Sequence, residues 1–189
     1  MKKIIALLFL FILSVQTVYS QTNIVISPKF CVDMMGGHNV SALGQSGSMD
    51  VKTSVTIGLE LSPQTTNEFA FGVGTSYLLG REQDASGTGK FYFVPIYLLG
   101  RMKLGEEGGS VMPSIVLNAG YNLIFDGDDA YSGPLNTKGG LYIAGGARLE
   151  FGEIFFDAMY KSFNGTATME TLEIDVTYTT LSIGIGMMF

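Results

Sequence analysis

The sequence is poor in the residues that most soluble enzymes and nucleic-acid binders depend on. It contains one cysteine, one histidine and no tryptophan in 189 residues. The lone Cys31 excludes an intramolecular disulfide. Basic residues are scarce, 11 Lys and Arg against 17 Asp and Glu, so the net charge of −6 argues against nucleic acid as a partner. No stretch supplies the roughly 20 consecutive apolar residues that a membrane-spanning helix requires. There is no internal repeat, no linker and no composition shift marking a second domain.

The longest apolar run, residues 4–13, follows Lys2 and Lys3 and precedes small residues at Val18 and Ser20. This order is that of a secretory signal peptide over residues 1–20, with Gln21 as the expected mature start. Cys31 lies far from the apolar run, so a lipoprotein signal is not expected. Without the signal, nine basic residues face 17 acidic ones, a net charge of −8. The remaining residues, 21–189, suit one domain.

What is present is alternation. Residues 179–189 read TTLSIGIGMMF, which puts Leu181, Ile183, Ile185, Met187 and Phe189 on one strand face. Thr180, Ser182, Gly184, Gly186 and Met188 take the other face. A long apolar edge strand at a chain end invites aggregation unless its edge is paired. A barrel closing on its last strand removes that problem. Seven upstream segments repeat the pattern, over about 23–35, 51–61, 68–77, 92–104, 111–123, 141–151 and 154–161. In the second, Thr53, Val55, Ile57, Leu59 and Leu61 oppose Lys52, Ser54, Thr56, Gly58 and Glu60. The fourth has large apolar residues on both faces and contains Pro95, which removes a ladder donor. Each segment approaches the ~9–11 residues of a tilted spanning strand.

The connections alternate too. Residues 36–50, 81–89, 126–139 and 165–173 are long; 62–67, 105–110 and 152–153 are short. Short periplasmic turns and long external loops have this order in membrane barrels, and an even strand count puts both termini at the periplasmic rim. The expected fold is therefore all-β, an eight-stranded antiparallel up-and-down transmembrane barrel, with the last strand pairing with the first.

With apolar faces outward, Lys29, Lys52, Arg101, Lys103, Arg148 and Lys161 turn inward, together with Asp33, Glu60, Glu68, Glu150 and Asp157. Near-balance matters, because a buried charge is costly unless paired. The Gly152-Glu153 turn, read as type II′, places Arg148 opposite Asp157. Inward glycines at 58, 72, 74, 120, 146, 184 and 186 leave room for Phe93, Tyr97 and Tyr142. Eight strands enclose only enough space for side chains to fill, so a conducting pore is not expected. Outward tyrosines 77, 92, 121 and 160 fall near the long loops, and outward phenylalanines 69, 151, 156 and 189 near the short turns, as two interfacial girdles.

On its signal, its eight alternating segments and its terminal Phe189, the chain resembles small outer-membrane barrel proteins of the OmpA/OmpX type. It looks most like the outer-membrane β-barrel domain proteins of Bacteroidetes. The stretch Val94-Pro95-Ile96-Tyr97-Leu98-Leu99-Gly100-Arg101 is similar to a proline-containing strand common there. The resemblance implies a non-enzymatic protein of the Gram-negative outer membrane, acting in envelope integrity, adhesion or secretion. It implies as partners outer-membrane lipid, the barrel-assembly machinery through the strand ending at Phe189, and a surface ligand or protein at the external loops. No peptidoglycan-binding segment follows the barrel, so a continuous wall anchor is not expected.

Few residues are candidates for chemistry, and no catalytic, cofactor or metal site is assigned. A lipid-modifying enzyme, the first alternative, needs a positioned base and nucleophile. His38 lies in the first long loop with Ser41 and Ser46 nearby, in no hydrolase spacing, and reads as a solvated loop histidine. Asp126-Gly127-Asp128-Asp129 offers carboxylates to a hard cation such as calcium but lacks the full EF-hand pattern, and reads as a solvated acidic loop. Cys31 reads as a small buried residue. A secreted soluble ligand-binding barrel is the second alternative; it requires the polar and apolar faces to exchange places.

Overall fold

Strand is what the alternation produces. A computed structural model describes residues 24–42, 45–64, 68–81, 91–105, 110–126, 136–169 and 172–189. The strands are β1 (Ile24–Ala42), β2 (Gln45–Val51), β3 (Ser54–Pro63), β4 (Phe69–Arg81), β5 (Phe91–Lys103), β6 (Met112–Asp126), β7 (Asn136–Phe151), β8 (Ile154–Met169) and β9 (Leu172–Met187). Each pairs antiparallel with its neighbour, and β9 returns to β1, so the sheet closes. The expected signal peptide lies outside the described residues.

Nine segments make eight barrel staves. β2 and β3 both pair with the same edge of β1, β3 with Ile24 to Asp33 and β2 with Gly36 to Ala42. They are two halves of one stave, interrupted at Lys52-Thr53. The break faces an irregularity in β1, where Met35 takes a positive φ of 49°. It also changes the inward parity: Val51 and Ser54 are buried while Lys52 is exposed, against the inward position expected for Lys52.

Three long connections are shorter than the sequence reading gives them. The segment expected as loop 36–50 is largely a hairpin of β1 and β2. Residues 165–169 and 172–173, expected as loop, extend β8 and β9. In the segment expected as loop 126–139, Asp126 ends β6 and 136–139 open β7; residues 127–135 lie outside the described set. These extensions escape the alternation test because the outward face changes character there. Below, Tyr160 and Leu181 face outward; above, Ser162, Asn164, Thr177 and Thr179 do, while Phe163, Val176 and Tyr178 turn inside. An apolar-out pattern thus inverts to polar-out along the same strands.

The turns and seam fix the register. Gly152 has φ of 61° and Glu153 is not left-handed, which is the type II′ arrangement. It sets Phe151 opposite Ile154 and Arg148 opposite Asp157, as expected. Replacing Gly152 with alanine forces a side chain into left-handed backbone and is expected to cost about 1–2 kcal/mol, read as a lower urea midpoint for barrel unfolding. At the seam, Phe30 faces Ile185 and Val32 faces Ile183. Phe189 donates its N–H to Ile26 O at 2.9 Å and accepts from Ile26 N at 3.0 Å, so the terminal residue closes the lower rim. Pro95 is accommodated because the β4–β5 ladder passes from Thr75–Ile96 to Leu78–Phe93 without pairing at Pro95. The Pro95 carbonyl instead accepts from the Thr75 hydroxyl at 3.0 Å.

Candidate functional site

The interior is built in two layers. The lower layer is charged. Arg148, only 1% exposed, donates Nε and Nη2 to the two carboxylate oxygens of Asp157 at 2.7 and 2.8 Å. The same Nη2 reaches Glu60 at 2.8 Å. Lys29 bonds Glu60 and stands 3.8 Å from Asp157. Lys161 bonds Asp33 at 3.0 Å, and the Thr56 hydroxyl donates to the same carboxylate. Three cations therefore meet three anions, which is the pairing that burial demands. The Arg148 guanidinium also lies 3.9 Å from the Phe155 ring centroid, a cation–π contact on its apolar side. Nearer the rim, Arg101 pairs with Glu150 at 2.6 Å.

Of the inward charges expected from sequence, Lys29, Asp33, Glu60, Arg148, Glu150, Asp157 and Lys161 are buried. Arg101 and Lys103 are half-buried. Glu68 is a correction: it sits exposed in the turn before β4 begins, where strand parity no longer holds it inside.

The upper layer is aromatic. Phe93, Tyr97, Tyr142, Phe163 and Tyr178 are buried, with neighbouring ring centroids 5.0–5.5 Å apart. Leu78, Leu99, Val116 and Met159 pack around them. Tyr97 joins the layers, donating its hydroxyl to Glu60 at 3.2 Å. Tyr97 has a glycine opposite it on each neighbouring strand: a Cβ at Gly74 would meet its ring atoms at 2.5 Å, and one at Gly120 would meet its Cα at 2.5 Å. Phe93, Tyr97 and Tyr142 are inside as expected from the alternation, whereas Phe163 and Tyr178 lie past the expected strand ends. Val116 and Ile124 are buried as well, neither being among the expected inward residues. The signal for Phe163 and Tyr178 is present in the inverted alternation of 162–167 and 174–180.

His38 is placed differently from its expectation. It belongs to β1, is 4% exposed, and faces inward opposite Tyr178 across the seam. The solvated loop histidine is therefore corrected to a buried strand residue. Ser41 is exposed on the opposite face and pairs with Ser46 in the hairpin, so neither serine shares a face with the imidazole. Cys31 is buried, as expected. Of the acidic run, only Asp126 falls within the described residues.

The exterior completes the architecture. Phe71, Leu98 and Leu117, among the most exposed apolar side chains, project from neighbouring staves. Tyr77, Tyr121 and Tyr160 ring the upper end of this belt, and Phe69, Phe151, Phe156 and Phe189 the lower end. Such an exterior is a lipid-facing surface, and it rules out the exchanged faces that a soluble barrel requires.

No family model matches the sequence, and no curated protein matches it. Solved structures do. The outer-membrane protein OprG from Pseudomonas aeruginosa superposes with a TM-score of 0.62 at 12% identity, over 89% of this chain and 96% of that one. AlkL, an outer-membrane protein solved in lipid bilayers, gives 0.55 at 17%, over 89% and 90%. Neisserial surface protein A gives 0.54 at 14%, over 88% and 97%. The chain has the fold of the small eight-stranded outer-membrane β-barrels. At these identities the likeness is one of fold, and the interior described above belongs to this chain's own residues.

Proposed function

We propose that this barrel, seated in the outer membrane of a Gram-negative bacterium, is sealed to ions and solutes and carries out no catalysis. Its work is envelope structure, or contact with a surface, ligand or protein through the segments above the lipid. The observation that carries this reading is the packed interior, where a paired charge layer lies under an aromatic layer. A water-filled passage would need those rings to part, and each aromatic pair contributes about 0.5–1.5 kcal/mol against doing so. Outer-membrane lipid is the immediate partner, and the assembly machinery reads the strand ending at Phe189.

The test is a strain lacking the protein, complemented with the native chain or with the His38→Ala variant. The expected deficit lies in envelope integrity or adhesion, with small-solute uptake and lipid A composition unchanged, and His38→Ala restores it. A specific loss of solute uptake would contradict the sealed interior. A lipid modification that native protein restores and His38→Ala does not would replace the reading with an enzymatic one.

A further inference from the structure

The wall above the lipid belt is a continuous polar sheet. β2, β1, β9, β8 and the start of β7 run on together, with Ser41 facing Asp175, Asp175 facing Thr166 and Thr166 facing Lys138. One row down, Asn39 faces Thr177 and Thr177 faces Asn164. These side chains point away from the barrel axis, since their strand neighbours His38, Val176, Tyr178, Phe163 and Ala167 are buried inside. Small hydroxyls and amides thus stand in rows at strand spacing, about 4.8 Å apart. Thr177 and Asn164 are held to one another by a 3.0 Å hydrogen bond, and Asn164 donates to Leu141 O at 3.0 Å, which fixes these two side chains within the grid.

We propose that this face binds the neutral sugar headgroup of a glycolipid whose acyl chains lie on the apolar belt beneath it. The proposal rests on the membrane seat and not on the sealed interior. Two observations select the occupant. The grid is continuous with the belt: Leu181 gives way to Thr179 on β9, and Tyr160 to Ser162 on β8, one outward position apart. A molecule with its tail on the belt therefore has its head on the grid. The charge on the grid also discriminates. Among the described residues, Asp50, Glu173 and Asp175 are exposed on it, against Lys138, with Lys52 at the strand break below. A surplus of carboxylates repels an anionic headgroup. Hydroxyls that both donate and accept suit a neutral polyol.

The test uses the full barrel in phosphatidylcholine nanodiscs doped with equal amounts of digalactosyl diacylglycerol and phosphatidylglycerol of matched chains. Retained lipid is counted by native mass spectrometry. The glycolipid is expected to be retained in about fivefold excess, the ratio that one net hydrogen bond supplies. Thr166→Val with Thr177→Val, which keeps side-chain volume, is expected to abolish the excess while heat-modifiable gel migration stays native. Asn39→Ala with Ser41→Ala, at exposed β1 positions, is expected to reduce it independently of the Thr177–Asn164 bond. Equal retention of both lipids, a preference for phosphatidylglycerol, or an excess that survives both double variants would overturn the proposal. So would displacement of the glycolipid by soluble digalactose at matching concentration, which would mean that the face takes a free glycan rather than a membrane lipid.

Discussion

Arg148→Asp is expected to lower the stability of the folded barrel by about 3–5 kcal/mol, the cost of breaking a buried ion pair from one side. Arg148 holds Asp157 with two bonds and Glu60 with a third. An aspartate there leaves three carboxylates together and removes the cation over Phe155. Adding Asp157→Arg rebuilds the cross-strand pair in reversed order. Recovery is expected to be partial, because the new carboxylate at position 148 then faces Glu60, whose remaining native cation is Lys29. Glu60→Gln on top of the double variant is expected to recover nothing further, since it leaves the buried Lys29 with neither of its native carboxylates, Glu60 or Asp157. The urea midpoint of heat-modifiable migration, measured in lipid vesicles, orders the four proteins. A double variant no more stable than Arg148→Asp alone would mean that the pair does not set the register of β7 against β8.

Gly120→Val is expected to cost at least about 3 kcal/mol, at the upper end of the range for overpacked sites. A Cβ at Gly120 would stand 2.0 Å from Ile96 O and 2.5 Å from Tyr97 Cα, both backbone atoms that cannot turn aside. The β5–β6 ladder would have to open beside the residue that links the charged and aromatic layers. Gly145→Ala is the matched control. Its Cβ meets Leu117 Cδ2 at 3.1 Å, the far end of a flexible side chain on the lipid face, so its midpoint is expected to stay near native. Equal effects at the two positions would mean that the interior is loose enough to absorb a side chain beside Tyr97.

These contrasts show where the sequence is readable. Period-two alternation located every barrel stave because lipid outside and paired charge inside give the two faces opposite chemistry. The two-residue turn at Gly152-Glu153 then fixed a register, since a loop that short leaves one pairing. Arg148 opposite Asp157 follows from it. Legibility fails where that chemistry changes. Above the belt the outside becomes polar and the inside apolar, so Phe163 and Tyr178 fall at or beyond the ends of the segments that read as strands. His38 is misplaced for the same reason, on a strand that continues past the lipid. Lys52 is misplaced because the break opposite Met35 changes parity, and no alternation rule carries across a break. The cross-chain partners of Glu60 are beyond sequence reading altogether: Lys29 and Arg148 converge on it only once the barrel has closed.

Ion current across a planar bilayer tests the sealed interior most directly. The purified native barrel, inserted and verified as folded, is expected to give no conductance steps above the lipid baseline. The Tyr97→Ala, Phe163→Ala double variant, which removes two of the five buried rings of the upper layer, is expected to give brief openings. Stable, reproducible conductance steps from the native protein would contradict a sealed barrel.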